Sequence, residues 1–291
     1  MNDSIGILLA GGRGLRLYPL TKSTNKHLMP VYSKPLIYYS LTTLMLAGNR
    51  EILIVTNPND ILSFKNLLGD GSSYGMDIQY VEQDNPKGLA HALYQTKELS
   101  RDKNINLMLG DNIFYGKSLN DYLLEAKKEN PNCLFTQNVK NPSNFGVLSR
   151  KTDGLPLEII EKPNYPVSSE AVLGLYFYEK DVFDLIEDIK PSKRGELEIT
   201  SLNNLLLSNK KVHIQNIGRG ISWFDAGTVE DLFQASNFIY SIEKRQDTLI
   251  SSIEEVAYKS NWIDINQFEK ITNKVKDSSY GESLVNKYFR T

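Results

Sequence analysis

The sequence has 291 residues, 41% hydrophobic and 23% charged, with a formal net charge of -2 and a pI near 6.0. That is the profile of an ordinary soluble globular protein with room for one large α/β domain or two modest ones. It lacks the basic excess of a nucleic-acid binder, although a few placed cations can still hold an anionic substrate. A single cysteine (Cys133) excludes an internal disulfide, three histidines (His27, His91, His213) argue against a His-rich zinc site, residues 1–12 have no basic n-region and too short an apolar run to read as a signal peptide, and no stretch approaches ~18 apolar residues, so the expectation is a cytoplasmic protein with no membrane or nucleic-acid partner.

Residues 5–10 (IGILLA) form a continuous apolar run closed by Gly11-Gly12, the pattern of a strand buried on both faces. Residues 11–34 read as loop. Ser33-Lys34-Pro35 predicts a helix start with Pro in the first turn, and Leu36, Ile37, Leu41, Leu44 and Met45 give that helix an apolar face, stopped by Gly48. Residues 51–56 (EILIVT) predict the next strand, and Asn57-Pro58 starts a helix toward Leu68. A third strand is predicted over 76–81, a helix over 89–99 and a fourth strand over 104–109, ending at Gly110-Asp111-Asn112. This alternation predicts an α/β fold with a mostly parallel sheet and helices on both faces.

Beyond a helix over 119–130 the texture changes. Short strands are predicted at 133–139, 146–149, 157–161 and 171–178, and helices at 181–189, 198–208 and 229–244. Thr228 is a candidate N-cap with Asp231 at the capping-box position. The tail from about Gln246 is polar, but Trp262, Phe268, Tyr280 and Tyr288 predict that it packs on the body. No linker divides the chain.

Two loop segments carry the first chemistry. Leu9-Ala10-Gly11-Gly12-Arg13-Gly14-Leu15-Arg16 follows the first strand. Its glycines let backbone N–H groups approach phosphate oxygens, and Arg16 can fork onto phosphate. It lacks the G-x-G-x-x-G spacing of a dinucleotide site and the Gly-Lys-Ser/Thr of a P-loop. Taken alone it is as readily a tight turn. Downstream, Asn25-Lys26-His27-Leu28-Met29-Pro30 places Lys26 where it could fold back over the same phosphates.

Together, LAGGRGLRLYPLT and NKHLMPVYSKPLIYY resemble the opening of the sugar nucleotidylyltransferases, whose pattern is a G-G-x-G-T-R-L-x-P-L/V-T loop and then K-x-L/M-x-P. The likeness continues in order through LMLAG (44–48), LLGDGSSYG (67–75), LGDNIFYG (109–116), EKP (161–163), GLYFY (174–178), RGELEIT (194–200), WFDAGT (223–228) and ASNFI (235–239). It covers nearly the whole chain, and within the family it is to the thymidylyltransferases that act on glucose 1-phosphate. The resemblance implies a Rossmann-like nucleotidyltransferase fold in one domain over 1–291. Residues 1–130 would bind nucleotide, 131–240 would form a smaller sugar-phosphate-binding β region, and 241–291 would be C-terminal helices for oligomerisation and regulation. The implied reaction joins dTTP, or UTP, to glucose 1-phosphate with Mg2+. The implied assembly is a homotetramer with a regulatory site for the product nucleotide-sugar.

The resemblance also assigns residues. Arg16 and Lys26 would be catalytic, holding the triphosphate and the attacking sugar phosphate. Leu9, Gly11, Gly12 and Gly14 would line the nucleotide with Gln83, Pro86 and Gly88, where the Gln83 amide can pair with the imide edge of thymine or uracil. Gly146, Glu161, Lys162, Val172 and Arg194 would take the sugar phosphate. Asp111, after a buried strand, and Asp225, before a helix, resemble the paired Mg2+ ligands, and hard carboxylates suit that ion. Without the family context each Asp is more commonly a turn or cap residue, and Glu161 with Lys162 a surface ion pair. Trp223 is equally a core residue or a sugar-stacking one.

Four positions depart from the pattern: Leu15 stands for Thr, His27 for Gln, Arg13 for a small residue and Ala226 for Thr. His27, beside Lys26, could titrate near neutral pH. Two other readings compete. A uridylyltransferase shares the imide edge, and the methyl difference discriminates by only ~1–3 kcal/mol. A non-catalytic nucleotide-binding regulatory protein is disfavoured because Arg16, Lys26, Asp111 and Asp225 are all present. A dehydrogenase fails on the glycine spacing.

Overall fold

A computed structural model describes residues 4–84 and 87–289. Its elements, in chain order, begin with β1 (Ser4–Leu9), the small hairpin β2 (Pro30–Val31) and β3 (Lys34–Pro35), and α1 (Leu36–Leu46). They continue with β4 (Glu51–Thr56), α2 (Ile61–Leu68), β5 (Asp77–Glu82), α3 (Leu89–Tyr94), β6 (Asn104–Leu109), β7 (Asn112–Gly116) and α4 (Leu119–Glu129). Then follow β8 (Cys133–Asn138), β9 (Gly146–Arg150), β10 (Pro156–Glu161), β11 (Glu170–Tyr178), α5 (Val182–Glu187) and α6 (Ile199–Ser208). The chain closes with β12 (His213–Asn216), β13 (Ile221–Asp225), α7 (Val229–Gln246), α8 (Ile253–Lys259), α9 (Ile265–Asn273) and α10 (Ser279–Tyr288).

Among the described residues nine strands share one sheet, in the order β10-β9-β11-β6-β1-β4-β5, with β8 beside β11 and β12 beside β8. The half β6-β1-β4-β5 is parallel, as the β-α alternation predicts, with Leu8 level with both Ile54 and Met108. Strand β11 joins β6 antiparallel and opens a second half that is antiparallel except for β8 with β12.

The unbroken apolar runs are explained by burial on both faces. Leu8, Ile52, Ile54 and Met108 face a core completed by α1, α2, α4 and the C-terminal helices. Their neighbours Ile7, Leu53, Val55 and Leu107 face a second core built with α3, α5 and α6. A third cluster sets Leu17, Met29, Val31 and Tyr39 against Leu232, Ala235 and Ile239 of α7, which seats the long loop after β1.

Departures from the sequence reading have local causes. Helix α1 begins at Leu36 because Lys34 and Pro35 pair with Val31 and Pro30 instead. The predicted helix over 89–99 is regular only through Tyr94 and goes on as turns. Strands β7 and β13 pair with each other in a separate two-stranded sheet. Their apolar pattern is short, and they are strands because of a partner about 110 residues away. The Thr228 cap is present: its hydroxyl accepts from the Asp231 N–H at 3.2 Å.

The tail packs, as its aromatics predict. Each of α8, α9 and α10 carries a side-chain N-cap, from Ser252, Asp264 and Ser278. Phe268 is fully buried, stacks on Tyr258 at 4.7 Å and meets Tyr288 edge-on at 5.1 Å. No helix among the described residues is long and apolar enough to cross a membrane.

Docking of the tail on the edge of the parallel half rests on Gly75. Its φ is +68°, and a Cβ there would lie 2.5 Å from the Trp262 carbonyl oxygen. Gly75→Ala is therefore expected to lower stability by about 1–3 kcal/mol by pushing Trp262 off. Thermal unfolding followed by tryptophan emission reads both effects, and an unchanged midpoint would contradict this packing.

Candidate active site

The loop after β1 leaves the carboxyl edge of the parallel half, where open α/β sheets gather ligands. Ala10 fixes its exit. The Ala10 N–H donates to the Val55 carbonyl at 2.7 Å, and its own carbonyl accepts from Asn25 Nδ2 at 3.0 Å and Thr56 Oγ1 at 3.1 Å. A Cβ on Gly11 would lie 2.6 Å from Gln83 Oε1, so this glycine lets the Gln83 amide close against the loop. Gly14, at φ +61°, starts the helical turn Leu15–Leu17, which buries Leu17 and turns Arg16 outward. It packs on the Lys26 side chain rather than in a cleft wall.

Two clefts adjoin here and share Leu89, Leu109, Asp111, Glu161 and Lys162. Leu9, Gly11, Gly12, Lys26, Gln83, Gly88 and Arg194 line the first. Arg16, Gly146, Val172, Trp223 and Asp225 line the second. Pro86 lies outside the described residues. The described residues anticipated for the nucleotide, Gly14 apart, line the first cleft, and Gly146 and Val172 line the second; Glu161 and Lys162 border both, and Arg194, anticipated for the sugar phosphate, stands in the first.

Where the clefts meet lies a buried ion pair. Lys26 Nζ contacts Asp111 Oδ2, and both side chains are 12% exposed. Asp111 Oδ1 accepts from Asn112 Nδ2 at 3.0 Å. Burial opposes the Asp111 charge, but the Lys26 ammonium and these hydrogen bonds outweigh it and hold the carboxyl well below the usual range. Pairing of β13 with β7 sets Asp225 opposite Asn112. Burial, with the charge of Asp111, raises the Asp225 carboxyl above the ordinary range, and Lys26 and Arg16 offset this in part. Gly227 makes room for Arg16: a Cβ there would lie 2.5 Å from its Nη2 and 3.2 Å from Asp225 Oδ2.

His27 is not a near-neutral titrating group. It is buried under Gly110, with Nδ1 2.7 Å from Asn25 Oδ1, and burial together with Lys26 pushes it down to about 3. The imidazole is a neutral wedge beneath the ion pair, because water does not reach it to solvate a charge.

Sequence reading missed Asn112. Its Oδ1 accepts from Trp223 Nε1 at 2.6 Å and from the Gly174 N–H at 3.1 Å, so one amide ties three strands to Asp111. Only its position after Asp111 in LGDN signalled it. Trp223 is half-buried: it packs edge-on to Phe145 at 5.1 Å and lines the second cleft.

Glu161 accepts from Thr200 Oγ1 and lies 3.5 Å from Lys162 Nζ and 3.8 Å from Arg194 Nη2. Arg194 is nearer to Glu198, at 2.9 Å, and Glu196 is 3.6 Å away. Both of these glutamates line the first cleft and went unnoticed as site residues. Gly88 has φ +105°, and its close approach is to Leu197, whose carbonyl oxygen would sit 2.3 Å from a Cβ. Hydrogen bonds from Leu197 N–H to the Lys87 carbonyl and from Ala90 N–H to the Leu197 carbonyl join the two loops.

Converging cations, paired acids and a glycine loop at the edge of a parallel sheet define a class. The chain matches the nucleotidyl transferase model over residues 5–242, belongs to that family, and is an enzyme of it. Its relatives carry a more particular activity. It is 43% identical over 281 residues to the glucose-1-phosphate thymidylyltransferase of Neisseria meningitidis, covering 96% of this chain and 98% of that one. Enzymes of the same name from Xanthomonas campestris (44%, covering 98% and 97%) and Mycobacterium tuberculosis (42%, covering 96% and 97%) are equally similar. Among solved structures, a Bacillus anthracis protein described as a glucose-1-phosphate thymidylyltransferase, in complex with sucrose, superposes with TM-score 0.74 at 37% identity, over 81% of this chain and 94% of that one. A UDP-glucose pyrophosphorylase complexed with UDP-glucose gives TM-score 0.72 at 26% identity, over 82% and 99%.

Asn112→Leu keeps the shape of the side chain but strands the Trp223 and Gly174 donors. It is expected to cost about 1–3 kcal/mol, the penalty for an unsatisfied buried polar group. Denaturant titration followed by tryptophan emission measures it, and a wild-type midpoint would show that Asn112 ties nothing.

Proposed function

We propose that the chain is a glucose-1-phosphate thymidylyltransferase, converting dTTP and glucose 1-phosphate to dTDP-glucose and pyrophosphate. The observation that carries this reading is that Arg16, Lys26, Asp111 and Asp225 meet where the two clefts join. Identities of 42–44% to thymidylyltransferases over nearly the full chain support the choice of substrates.

In this reading a glucose 1-phosphate oxygen attacks the α-phosphorus in line. The new O–P bond forms as the bond from the α-phosphorus to the bridging oxygen breaks, and pyrophosphate leaves with that electron pair. No protein nucleophile is required, so the protein's part is positioning and charge neutralisation. Lys26 and Arg16 reduce repulsion between two anionic substrates and stabilise the charge that develops. Gln83 reads the imide edge of the base, and Gly11, Gly12 and the Leu9 backbone border the triphosphate. Glu161 and Val172 address the sugar beside Gly146, with Lys162 and Arg194 turned to its phosphate.

Asp111 and Asp225 fit Mg2+. They are hard oxygen donors, Asp111 buried and Asp225 half-buried, and burial together with the charge of Asp111 raises Asp225, the situation a divalent cation relieves. Two protein carboxylates suffice for an ion that keeps waters and phosphate oxygens. Bound there, Mg2+ would supply further charge neutralisation at the phosphates. The proposal extends to a homotetramer with a product-binding regulatory site, in which 1–130 serves the nucleotide, 131–240 the sugar phosphate and 241–291 assembly. Light scattering with and without dTDP-glucose tests that part.

Pyrophosphate release with Mg2+ and glucose 1-phosphate tests the reaction. Release is expected with dTTP ahead of UTP, and the margin for one methyl is about 10–200-fold. Faster turnover with UTP would make the chain a uridylyltransferase, and silence with every triphosphate and sugar phosphate would favour the non-catalytic reading. Asp111→Asn and Asp225→Asn should each abolish Mg2+-dependent turnover with the fold intact. Arg16→Ala should lower turnover by about 100-fold or more, the usual loss of an electrostatic stabiliser.

A further inference from the structure

The family match ends at residue 242, and the next residue is buried against the segment that carries Lys26. Glu243, in the last turns of α7, pairs through Oε1 with Lys34 Nζ at 2.7 Å, and the side chains are 6% and 2% exposed. The same Oε1 accepts from the Ile250 N–H at 2.7 Å, in the connection to α8. Lys34 also donates to Ser33 Oγ at 2.8 Å and lies over the rings of Tyr39 of α1 and Tyr280 of α10.

Seven residues lie between Lys26 and Lys34, and an ion pair buried at both partners closes each end of that segment. The chain between them is held by hydrogen bonds at several points. Met29 N–H donates to the Lys26 carbonyl at 3.1 Å, and Leu36 N–H to the Met29 carbonyl at 2.8 Å. Val31 pairs with Lys34 across the β2–β3 hairpin, and its carbonyl accepts from Tyr39 Oη at 2.7 Å. Helix α7 adds Ser236 Oγ, 3.2 Å from Tyr32 N, and Tyr240, whose ring meets Tyr32 edge-on at 5.2 Å.

A buried ion pair is a poor device for stability alone, since apolar side chains of similar volume commonly do as well, and its best-attested use is to fix register. We infer that Lys34 and Glu243 are positioning residues for Lys26, through which the segment beyond the family match sets the catalytic lysine on Asp111. The inference rests on the activity proposed above. It accounts for a buried charged pair beside the apolar cluster that joins the hairpin to α7.

The test uses the full chain carrying Lys34→Met with Glu243→Gln, which removes both charges and keeps an acceptor for the Ile250 N–H. Brief amine acetylation read by mass spectrometry follows Lys26, normalised to the exposed Lys151. Lys26 should label about threefold faster or more in the variant. The kcat for pyrophosphate release should fall about tenfold or more with KM for the triphosphate little changed, as expected when a catalytic group is slightly misplaced. A merely structural pair would lower the melting temperature and move neither readout. Unchanged Lys26 labelling, or unchanged kcat in a folded active variant, overturns the inference. Should the double variant fail to fold, Glu243→Gln alone, which retains an acceptor for Lys34 and the Ile250 N–H and gives up only the longer bond from Ser33 Oγ, is read in the same way. If the wild type releases no pyrophosphate, the activity reading fails on its own, and the labelling result still decides the inference.

Discussion

The contact between Lys26 and Asp111 is the constraint on which the rest of the site depends. A buried ammonium and carboxylate are each costly to desolvate, and they hold together only where neighbours satisfy them and keep their geometry. Here Asn112 takes the second carboxylate oxygen, His27 lies neutral beneath, and Asn25 orients His27 while gripping the Ala10 carbonyl. The glycine loop, the lysine segment and the end of β6 are thereby drawn to one point. In the proposed reaction, substrate phosphates and a metal ion entering there would meet charges already held in opposition, which they could redistribute at little reorganisation cost.

Each part of the fold delivers one side of that point. The parallel half supplies the loop after β1, Gln83 beyond β5 and Asp111 after β6. The antiparallel half supplies Gly146 on β9, Glu161 on β10 and Val172 on β11, which line the second cleft. The separate pair β7–β13 carries Asp225 across to Asp111, and α7 seats the whole N-terminal loop through Leu232, Ala235 and Ile239. Loops reaching between halves are coupled by backbone, as at Lys87, Ala90 and Leu197.

What could be read in the sequence followed from local physics. Apolar runs such as IGILLA and EILIVT require burial on both faces, and their alternation with helical segments predicts the parallel half. Arg16, Lys26, Asp111 and Asp225 were legible as a set because ordered motifs placed them in a family, whereas each alone resembles a turn or surface residue. Other features depend on partners far away in the chain. Asn112 is unremarkable until Trp223 and Gly174 arrive, and WFDAGT reads as loop until β7 pairs with it. His27 looks like a titrating neighbour of Lys26 until Gly110 closes over it. Gly88 lines the first cleft, but its need for glycine, the close approach of Leu197, is invisible in sequence.

The central claim is that this site works by holding two anions in line around a neutralising cluster, with no covalent intermediate. The stereochemical course at the α-phosphorus tests it most directly. Turnover of one diastereomer of the α-thio triphosphate with glucose 1-phosphate, followed by configurational assignment of the nucleotide-sugar by phosphorus NMR, reports it. The account predicts inversion. Retention would mean two successive displacements, hence a nucleotidylated enzyme, and would contradict it.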